Sequence, residues 1–346
     1  MNNHTEIARV HRQQMAEFGV PAYRLLEAAE GPSSTGNWHE SFSKNGAVLA
    51  EALIAHAVNV DAKSLRSISI VVNLAPTEAE RAWECVTTSL EHARPVRGLM
   101  KLVLDNFGGW VEMIGPERRA VFFIQYPNLS SAIAVAGPQW MDDLLRQAVV
   151  IPPTAAASYL EFVAQYAHCS RDILRSLPQL ARAALERDHR DYLTEILIII
   201  PPAETVMDRD STSFLPALAA TATSLMELGG NDTWTRAIGL ILKIGRQNRS
   251  CAFYTATKII KSLRAIDSAS RISYLTEFTN LVECIGVRVN GYSLCDLPKL
   301  YGRYGSARAS EFTTIACKIG RSSGPSAGVG FLDRRTKISR ALLPFP

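Results

Sequence analysis

The stretch DTWTRAIGLILKIG, residues 232–245, opens with a polar residue and an early aromatic and then places apolar residues three and four positions apart. That spacing is typical of an amphipathic helix whose apolar stripe faces a core. Three further segments begin in the same way: SYLEFVAQYA (158–167), DYLTEILIII (191–200) and SYLTEFTNLVECIG (273–286). Alternation of the β type is scarce, so the sequence predicts a mainly helical chain.

The leading aromatics of these segments recur at a regular distance. From Tyr192 to Trp234 the step is 42 residues, and from Trp234 to Tyr274 it is 40. A period of this size belongs to helical-hairpin repeats of the HEAT and armadillo class, in which each unit buries its apolar face only by stacking on its neighbours. The sequence therefore predicts an all-α fold, and within that class an α-solenoid of helical-hairpin repeats.

A proline motif accompanies the aromatic helices. The form L-P-x-L occurs as LPQL (177–180), LPAL (215–218) and LPKL (297–300), with YPNL (126–129) as a weaker copy. In the first turn of a helix proline loses no needed hydrogen bond, and its fixed φ sets the direction of the chain. We expect these prolines to stand at helix starts.

The first part of the chain is less regular than the rest. We predict an irregular helical region over residues 1–120 and a helical-repeat array with a basic C-terminal cap over residues 121–346. The glycines of NFGGW, residues 106–110, predict a break between helices. The apolar runs SISIVVNL (67–74) and AVFFIQYP (120–127) fit either a short strand or a buried helix, and we favour helix for both.

Composition and apolar run length limit the class of protein. Apolar residues make up 47% of the chain and charged residues 20%, which is typical of a folded protein. The most apolar segment, residues 192–203, is interrupted by Glu195, Pro201 and Pro202, so we predict no membrane span. The polar N-terminal segment lacks the apolar region of a signal peptide, and we predict a cytoplasmic protein.

Cysteine and histidine spacing argues against a metal site. The six cysteines never form a CxxC pair, and all seven histidines lie at or before His189. No HExxH or CxxC…HxxxH spacing is present, so the cysteines are predicted to be scattered core thiols. The sequence predicts no metal, no cofactor and no catalytic residue.

The segment SSGPSAGVG, residues 322–330, resembles a phosphate-binding loop only in its glycine content. No G-K-[ST] follows it, and no strand is predicted before it, as a dinucleotide fingerprint or a G-x-S-x-G nucleophile turn would require. We predict a Gly/Ser loop between a helix that Gly320 caps and a last helix, FLDRRTKISRALL (331–343).

Basic residues concentrate near the C-terminal end. Residues 281–346 hold ten Lys and Arg against four Asp and Glu, whereas the rest of the chain has a net charge of −2. Such a surface is able to contact nucleic-acid phosphates, an anionic membrane surface or an acidic protein, or it is simply a solvated helix face that caps the last repeat. The candidate contact residues are Arg303, Arg308, Arg334, Arg335, Lys337 and Arg340.

The repeat rhythm of residues 120–343 and the ending GVGFLDRRTKISRALL (328–343) resemble the helical region of the large accessory proteins of MoxR-type AAA+ ATPases. These accessory proteins include those linked to Rubisco activation and to nitric oxide reductase maturation. That family also carries a von Willebrand factor A domain with a D-x-S-x-S metal-ion motif, which this sequence lacks. The resemblance therefore implies a stand-alone helical adapter without the metal-dependent recognition of the family.

Three functions fit these features. The first is a non-enzymatic helical-repeat scaffold that binds a protein partner, with the basic end contacting acidic groups. The second is a helical-repeat protein that binds nucleic acid through the same arginines. The third is an all-helical enzyme with a pocket between helices, which would be recognised by perturbed ionisable groups lining one deep cavity.

Overall fold

The computed structural model describes residues 62–72, 74–93, 98–204, 209–287 and 297–337. Every regular element within these ranges is helical, and they contain no strand. The all-α prediction is therefore confirmed for the described part of the chain. No helix in that part is long and apolar enough to cross a membrane.

The chain forms two compact units, Met1–Pro178 and Gln179–Pro346. The helices among the described residues of the first unit are α1 (Ala62–Val72), α2 (Pro76–Ala93), α3 (Leu99–Ile114), α4 (Pro116–Ala136), α5 (Pro138–Val150), α6 (Pro153–Gln165) and the start of α7 (Arg171–Leu185). Of the two ambiguous apolar runs, residues 67–72 of the first lie in α1 and all of the second, 120–127, lies in α4, so the preference for helix is confirmed for these residues.

The second unit begins within α7. Its further helices are α8 (Arg190–Ile199), α9 (Arg209–Leu228), α10 (Asn231–Gln247), α11 (Arg249–Arg264), α12 (Arg271–Ile285), α13 (Leu297–Ser323) and α14 (Pro325–Lys337). A short 3₁₀ turn, Ser268–Ser270, precedes α12.

Gly-Pro pairs make the sharpest connections between helices. Gly115, Gly137 and Gly324 have φ of 73°, 88° and 91°, and each is followed directly by a proline that begins the next helix. Positive φ suits glycine after a helix end, and proline suits the first helical position. Each of these turns is therefore a single residue long.

The expectation that the L-P-x-L prolines begin helices is wrong at three of four places. Pro127, Pro178 and Pro216 lie inside α4, α7 and α9, and only Pro298 stands in the first turn of its helix. A proline inside a helix lacks the N–H that would bond to the carbonyl four residues earlier, so that carbonyl needs another donor.

At Pro178 the other donor is a tryptophan on a neighbouring helix. The carbonyl freed by Pro178 belongs to Leu174, and the indole N–H of Trp140 donates to it at 2.6 Å. Trp140 and Leu174 are both buried. The proline thus creates an acceptor inside α7 that ties this helix to the start of α5.

Replacing Trp140 with phenylalanine is expected to lower the free energy of unfolding by about 2 kcal/mol, because the buried Leu174 carbonyl loses its donor. In a Pro178→Ala background the alanine N–H replaces that donor, so the same change is expected to cost about 1 kcal/mol less. Urea denaturation of the four proteins, followed by circular dichroism, measures this coupling. Strictly additive costs would contradict the proposed role of the proline.

Within each unit, helices pack on the helix two places further along the chain. The pairs in contact include α1 with α3, α2 with α4, α3 with α5 and α4 with α6, and in the second unit α8 with α10, α9 with α11 and α10 with α12. Between α10 and α12, Arg236 donates to Thr276 at 3.1 Å and Lys243 pairs with Glu283. Both contacts span 40 residues, so these two helices run parallel.

The aromatic period of the sequence has a direct structural basis in the second unit. The rings of Tyr192 and Trp234 stack with centroids 5.9 Å apart, and the Tyr192 hydroxyl donates to the carbonyl of Thr235 at 2.9 Å. Trp234 and Tyr274 are both fully buried. A step of about 40 residues therefore connects the half-buried Tyr192 and the buried Trp234 and Tyr274 on alternate helices.

The predicted break at NFGGW is also wrong, because residues 106–110 lie inside α3. The Gly108 N–H donates to the hydroxyl of Ser67 on α1 at 2.7 Å. A Cβ added at Gly108 would lie 2.2 Å from the Ser67 carbonyl oxygen, whereas one at Gly109 would meet nothing within 4 Å. Gly108 is therefore required for the close approach of α1 and α3 and does not interrupt the helix.

Candidate functional site

The basic segment of the chain contains a kinked helix. Helix α13 has helical backbone on both sides of Gly305, which itself has φ of 73° and ψ of 168°. Such a conformation is open to glycine and strained for other residues. The kink separates Tyr304, at the end of the first part, from Phe312 on the second part.

Three aromatic rings lie in a row at this kink, and an arginine guanidinium lies over each end of the row. Tyr304 packs edge-on against Phe312 at 5.3 Å between centroids, and Phe312 packs against Phe331 of α14 at 6.4 Å. Arg303 lies over Tyr304 at 5.2 Å, and Arg335 lies over Phe312 at 5.5 Å and over Phe331 at 5.3 Å. We call these five residues the arginine–aromatic cluster.

The cluster lies in a basic environment. Residues 297–337 contain eight Lys and Arg against two Asp and Glu. Within the described residues no carboxylate forms an ion pair with either arginine of the cluster, and both arginines are exposed. A guanidinium that stacks on a ring keeps its N–H edge free to bind an anion.

The structure brings together only part of the predicted contact set. Arg303 and Arg335 join through the rings, and Arg308 and Arg334 are exposed. The side chain of Lys337 and the whole of Arg340 lie outside the described residues. The use of these residues as a contact surface stays a prediction.

The two tyrosines of the basic segment have different roles, a point that the sequence left open. Tyr301 is buried, packs edge-on against Tyr274 at 5.8 Å, and its hydroxyl lies 3.4 Å from that of Ser273. Burial raises the pKa of Tyr301 to about 12. Tyr301 is therefore a core residue, and Tyr304 is the one that belongs to the site.

Small residues of SSGPSAGVG hold α14 against α13. A Cβ at Gly328 would lie 2.6 Å from the Ala316 carbonyl oxygen, and one at Gly320 would lie 2.8 Å from the Ile285 side chain. The predicted Gly/Ser loop is wrong, because Pro325–Lys337 is helical, and the helix before it ends after Ser323 rather than at Gly320. These glycines serve helix packing, which is what places Phe331 and Arg335 beside Phe312.

Two surface clefts are the other candidates. A cleft of about 250 Å³ in the first unit is lined by residues of α1, α3 and α5. Two of its three carboxylates accept hydrogen bonds, Asp105 from Lys101 at 2.5 Å and Asp142 from the Trp110 indole at 2.7 Å, and the third, Glu112, is exposed. Asp105 and Asp142 are therefore already used in contacts within and between these helices.

A second cleft, of about 410 Å³, lies at the start of α10 and includes Arg271. Arg271 is occupied there, because its guanidinium donates to the carbonyls of Leu228 and of Leu263. This arginine joins three helices and is not directed at a ligand.

Ionisable groups give no sign of a catalytic centre in the described residues. The groups whose pKa is raised are phenols and thiols, chiefly because burial disfavours their charged forms, and none of them lines either cleft. No group of three His, Cys, Asp or Glu in the same ranges is arranged to hold a metal ion.

The described residues form an all-helical fold with a basic surface whose arginines lie over a row of aromatic rings. Comparisons of the chain with protein-family models, with curated proteins and with solved structures found no match. The resemblance to the accessory proteins of MoxR-type ATPases therefore stays a prediction.

Proposed function

We propose that this protein is a non-enzymatic helical-repeat scaffold whose arginine–aromatic cluster binds an acidic segment of a protein partner. The observation that carries the proposal is the placement of the exposed Arg303 and Arg335 over half-buried aromatic rings without a carboxylate partner in the described residues. The proposal has two parts, the repeat architecture and the nature of the ligand.

The packing of alternate helices supports the repeat architecture. Parallel contacts between helices two places apart are what stacked helical hairpins make, and their spacing near 40 residues fits the HEAT and armadillo size class. We take the chain to be an α-solenoid on this basis. In such arrays the surface is long and rigid, which suits binding along an extended partner.

The geometry of the cluster favours a carboxylate ligand. Arginine binds carboxylates through paired N–H groups, and stacking on a ring holds the guanidinium plane before the ligand arrives. Because less side-chain freedom is lost on binding, such a site gains affinity over the same charges on flexible side chains.

Nucleic acid is the second candidate, because phosphates are bound by the same cations. Single-stranded nucleic acid is usually held by bases stacked on free aromatic faces as well as by charge. Here the guanidiniums of Arg303 and Arg335 lie over the three rings of the cluster and compete for those faces. The geometry therefore favours an acidic protein segment over bases.

The test is capture from native-host extract with the tagged full chain, with and without nuclease and at low and high salt, followed by mass spectrometry. We expect a protein that survives nuclease and whose bound segment, mapped by cross-linking, is rich in Asp and Glu. Binding that requires nucleic acid and weakens steeply with salt would replace this proposal by the second candidate. A partner that binds through a segment without acidic residues would overturn the role of the cluster.

A further inference from the structure

Two cysteines and an arginine meet at the interface of α12 and α13, away from the rings of the arginine–aromatic cluster. The two helices run parallel here, since Glu277 accepts from Ser310 at 2.7 Å and, one turn later, the Asn280 carbonyl accepts from the Cys317 thiol at 3.6 Å. One further turn along, Arg321 donates to the sulfur of Cys284 at 3.0 Å.

The two thiols are neighbours along this interface but differ in access to solvent. Cys284 is half-buried, whereas Cys317 is buried with 8% of its surface exposed. The Cys317 sulfur lies 3.6 Å from the carbonyl oxygen of Asn280, which is one turn before Cys284 on α12. Burial, and next the neighbouring Cys284 thiol, raises the pKa of Cys317 to about 12, so Cys317 remains a protonated thiol at neutral pH.

This arrangement assigns different chemistry to the two sulfurs. A thiolate is the form that reacts with electrophiles, and a neighbouring guanidinium offsets its charge. Of the two cysteines, only Cys284 combines partial access to solvent with a hydrogen bond from a guanidinium, that of Arg321. Cys317, which solvent hardly reaches, lies where it is able to attack an oxidised Cys284.

We propose that Cys284 is an oxidant-sensitive site and that Cys317 is its resolving thiol, so that oxidation by a peroxide links α12 to α13 through a disulfide. This modification is independent of the proposed partner binding. It concerns cysteines that sequence spacing alone assigned to a scattered core.

The reaction balances in two steps. The Cys284 thiolate attacks one oxygen of hydrogen peroxide, an S–O bond forms, the O–O bond breaks, hydroxide leaves, and the sulfur is oxidised to a sulfenic acid. The Cys317 sulfur then attacks the Cys284 sulfur, the S–S bond forms and the S–O bond breaks. The leaving hydroxide takes up the Cys317 proton as water, and one peroxide has oxidised two thiols.

The experiment treats the reduced full-length protein at low concentration with hydrogen peroxide and follows it by intact mass and by peptide mapping without reduction. We expect a product lighter by two hydrogens that contains a Cys284–Cys317 disulfide and is reversed by dithiothreitol. Cys251, a similarly half-buried thiol, serves as an internal control, and Cys284 is expected to react at least about tenfold faster.

Variants test whether the oxidation of Cys284 depends on Cys317 and Arg321 or only on the exposure of Cys284 to solvent. Cys317→Ser is expected to stop at a sulfenic acid on Cys284 that dimedone traps, and Cys284→Ser is expected to leave Cys317 unoxidised. Arg321→Gln is expected to slow the oxidation of Cys284 about fivefold or more, with recovery in Arg321→Lys. If a cysteine variant fails to fold, the wild-type peptide map and the oxidation rates of the two Arg321 variants still test the proposal. Equal oxidation rates at Cys284 and Cys251, or a wild-type product that lacks the disulfide, would overturn the proposal.

Discussion

Replacing Gly108 with alanine is expected to lower the free energy of unfolding of the first unit by about 3 kcal/mol or more. The added Cβ would lie 2.2 Å from the carbonyl oxygen, 2.7 Å from the Cα and 2.8 Å from the carbonyl carbon of Ser67. These atoms belong to the backbone of α1, so no side-chain rotation relieves the clash and the two helices must separate.

Separation would also break the polar contacts that align α1 with α3. The Gly108 N–H donates to the Ser67 hydroxyl at 2.7 Å, and Lys63 donates to Asn106 at 2.9 Å. The loss of a buried hydrogen bond adds to the steric cost. Urea denaturation of the full chain, followed by circular dichroism, measures the loss as an earlier first transition.

The adjacent glycine provides a matched control. Gly109 is in the same helix and exposed, and an added Cβ there meets nothing within 4 Å. Gly109→Ala is therefore expected to raise stability by about 0.5 to 1 kcal/mol, because alanine is the better helix former. A similar response to both substitutions would contradict the close approach of α1 and α3.

Reversing the charge of both arginines of the cluster is expected to weaken partner binding at least about 100-fold. Each charge-assisted hydrogen bond to a carboxylate contributes about 1.5 to 3 kcal/mol, and a glutamate in its place repels the ligand. The variant Arg303→Glu/Arg335→Glu therefore loses more than the attraction of the wild type. Binding of the captured acidic segment, synthesised as a labelled peptide, is measured by fluorescence anisotropy at low salt.

The control for this variant changes the net charge by the same amount elsewhere. Arg175 and Lys258 are exposed and lie inside α7 and α11. Arg175→Glu/Lys258→Glu is expected to change affinity less than about fivefold, through long-range electrostatics only. Equal losses in the two double variants would show that net charge, and not the cluster, determines binding.

A loss of folding would also weaken binding, but we expect the cluster variant to lose little stability. Cation–π contacts at exposed sites contribute about 0.5 to 1 kcal/mol each, so the cluster variant is expected to unfold within about 2 kcal/mol of the wild type. Thermal denaturation by circular dichroism measures this in the same samples.

Sequence periodicity predicts the helices well because burial of one face imposes a repeat that a single chain displays. The aromatics of DYLTEILIII and DTWTRAIGLILKIG lie in α8 and α10, and Tyr192 contacts Trp234 as their spacing suggests. For proline and glycine, by contrast, most predictions from the sequence alone are wrong. Pro178 and Gly108 both look like helix breaks, yet each is used inside a helix through a partner on another helix.

The sequence predicts the arginines of the candidate site but not the role of Phe312. The basic character of residues 281–346 predicts Arg303 and Arg335, because charge is a local property. Phe312 gives no such signal, since one aromatic in an amphipathic helix is usually core. Its role depends on the kink at Gly305 and on Phe331 from α14. The thiol pair at Cys284 and Cys317 is likewise invisible in spacing, because its members are 33 residues apart on different helices.

The sequence by itself determined that the described residues are helical, where several of the helices lie, and which end of the chain is basic, because the hydrophobic period and the charge are local properties of one chain. Tertiary structure alone decided which glycines and prolines are packing devices, which tyrosine is core, and which arginines are held on rings. Most of these properties depend on contacts between different helices. The effect of a carbonyl without a donor, or of a missing Cβ, is set by the helix that lies against it.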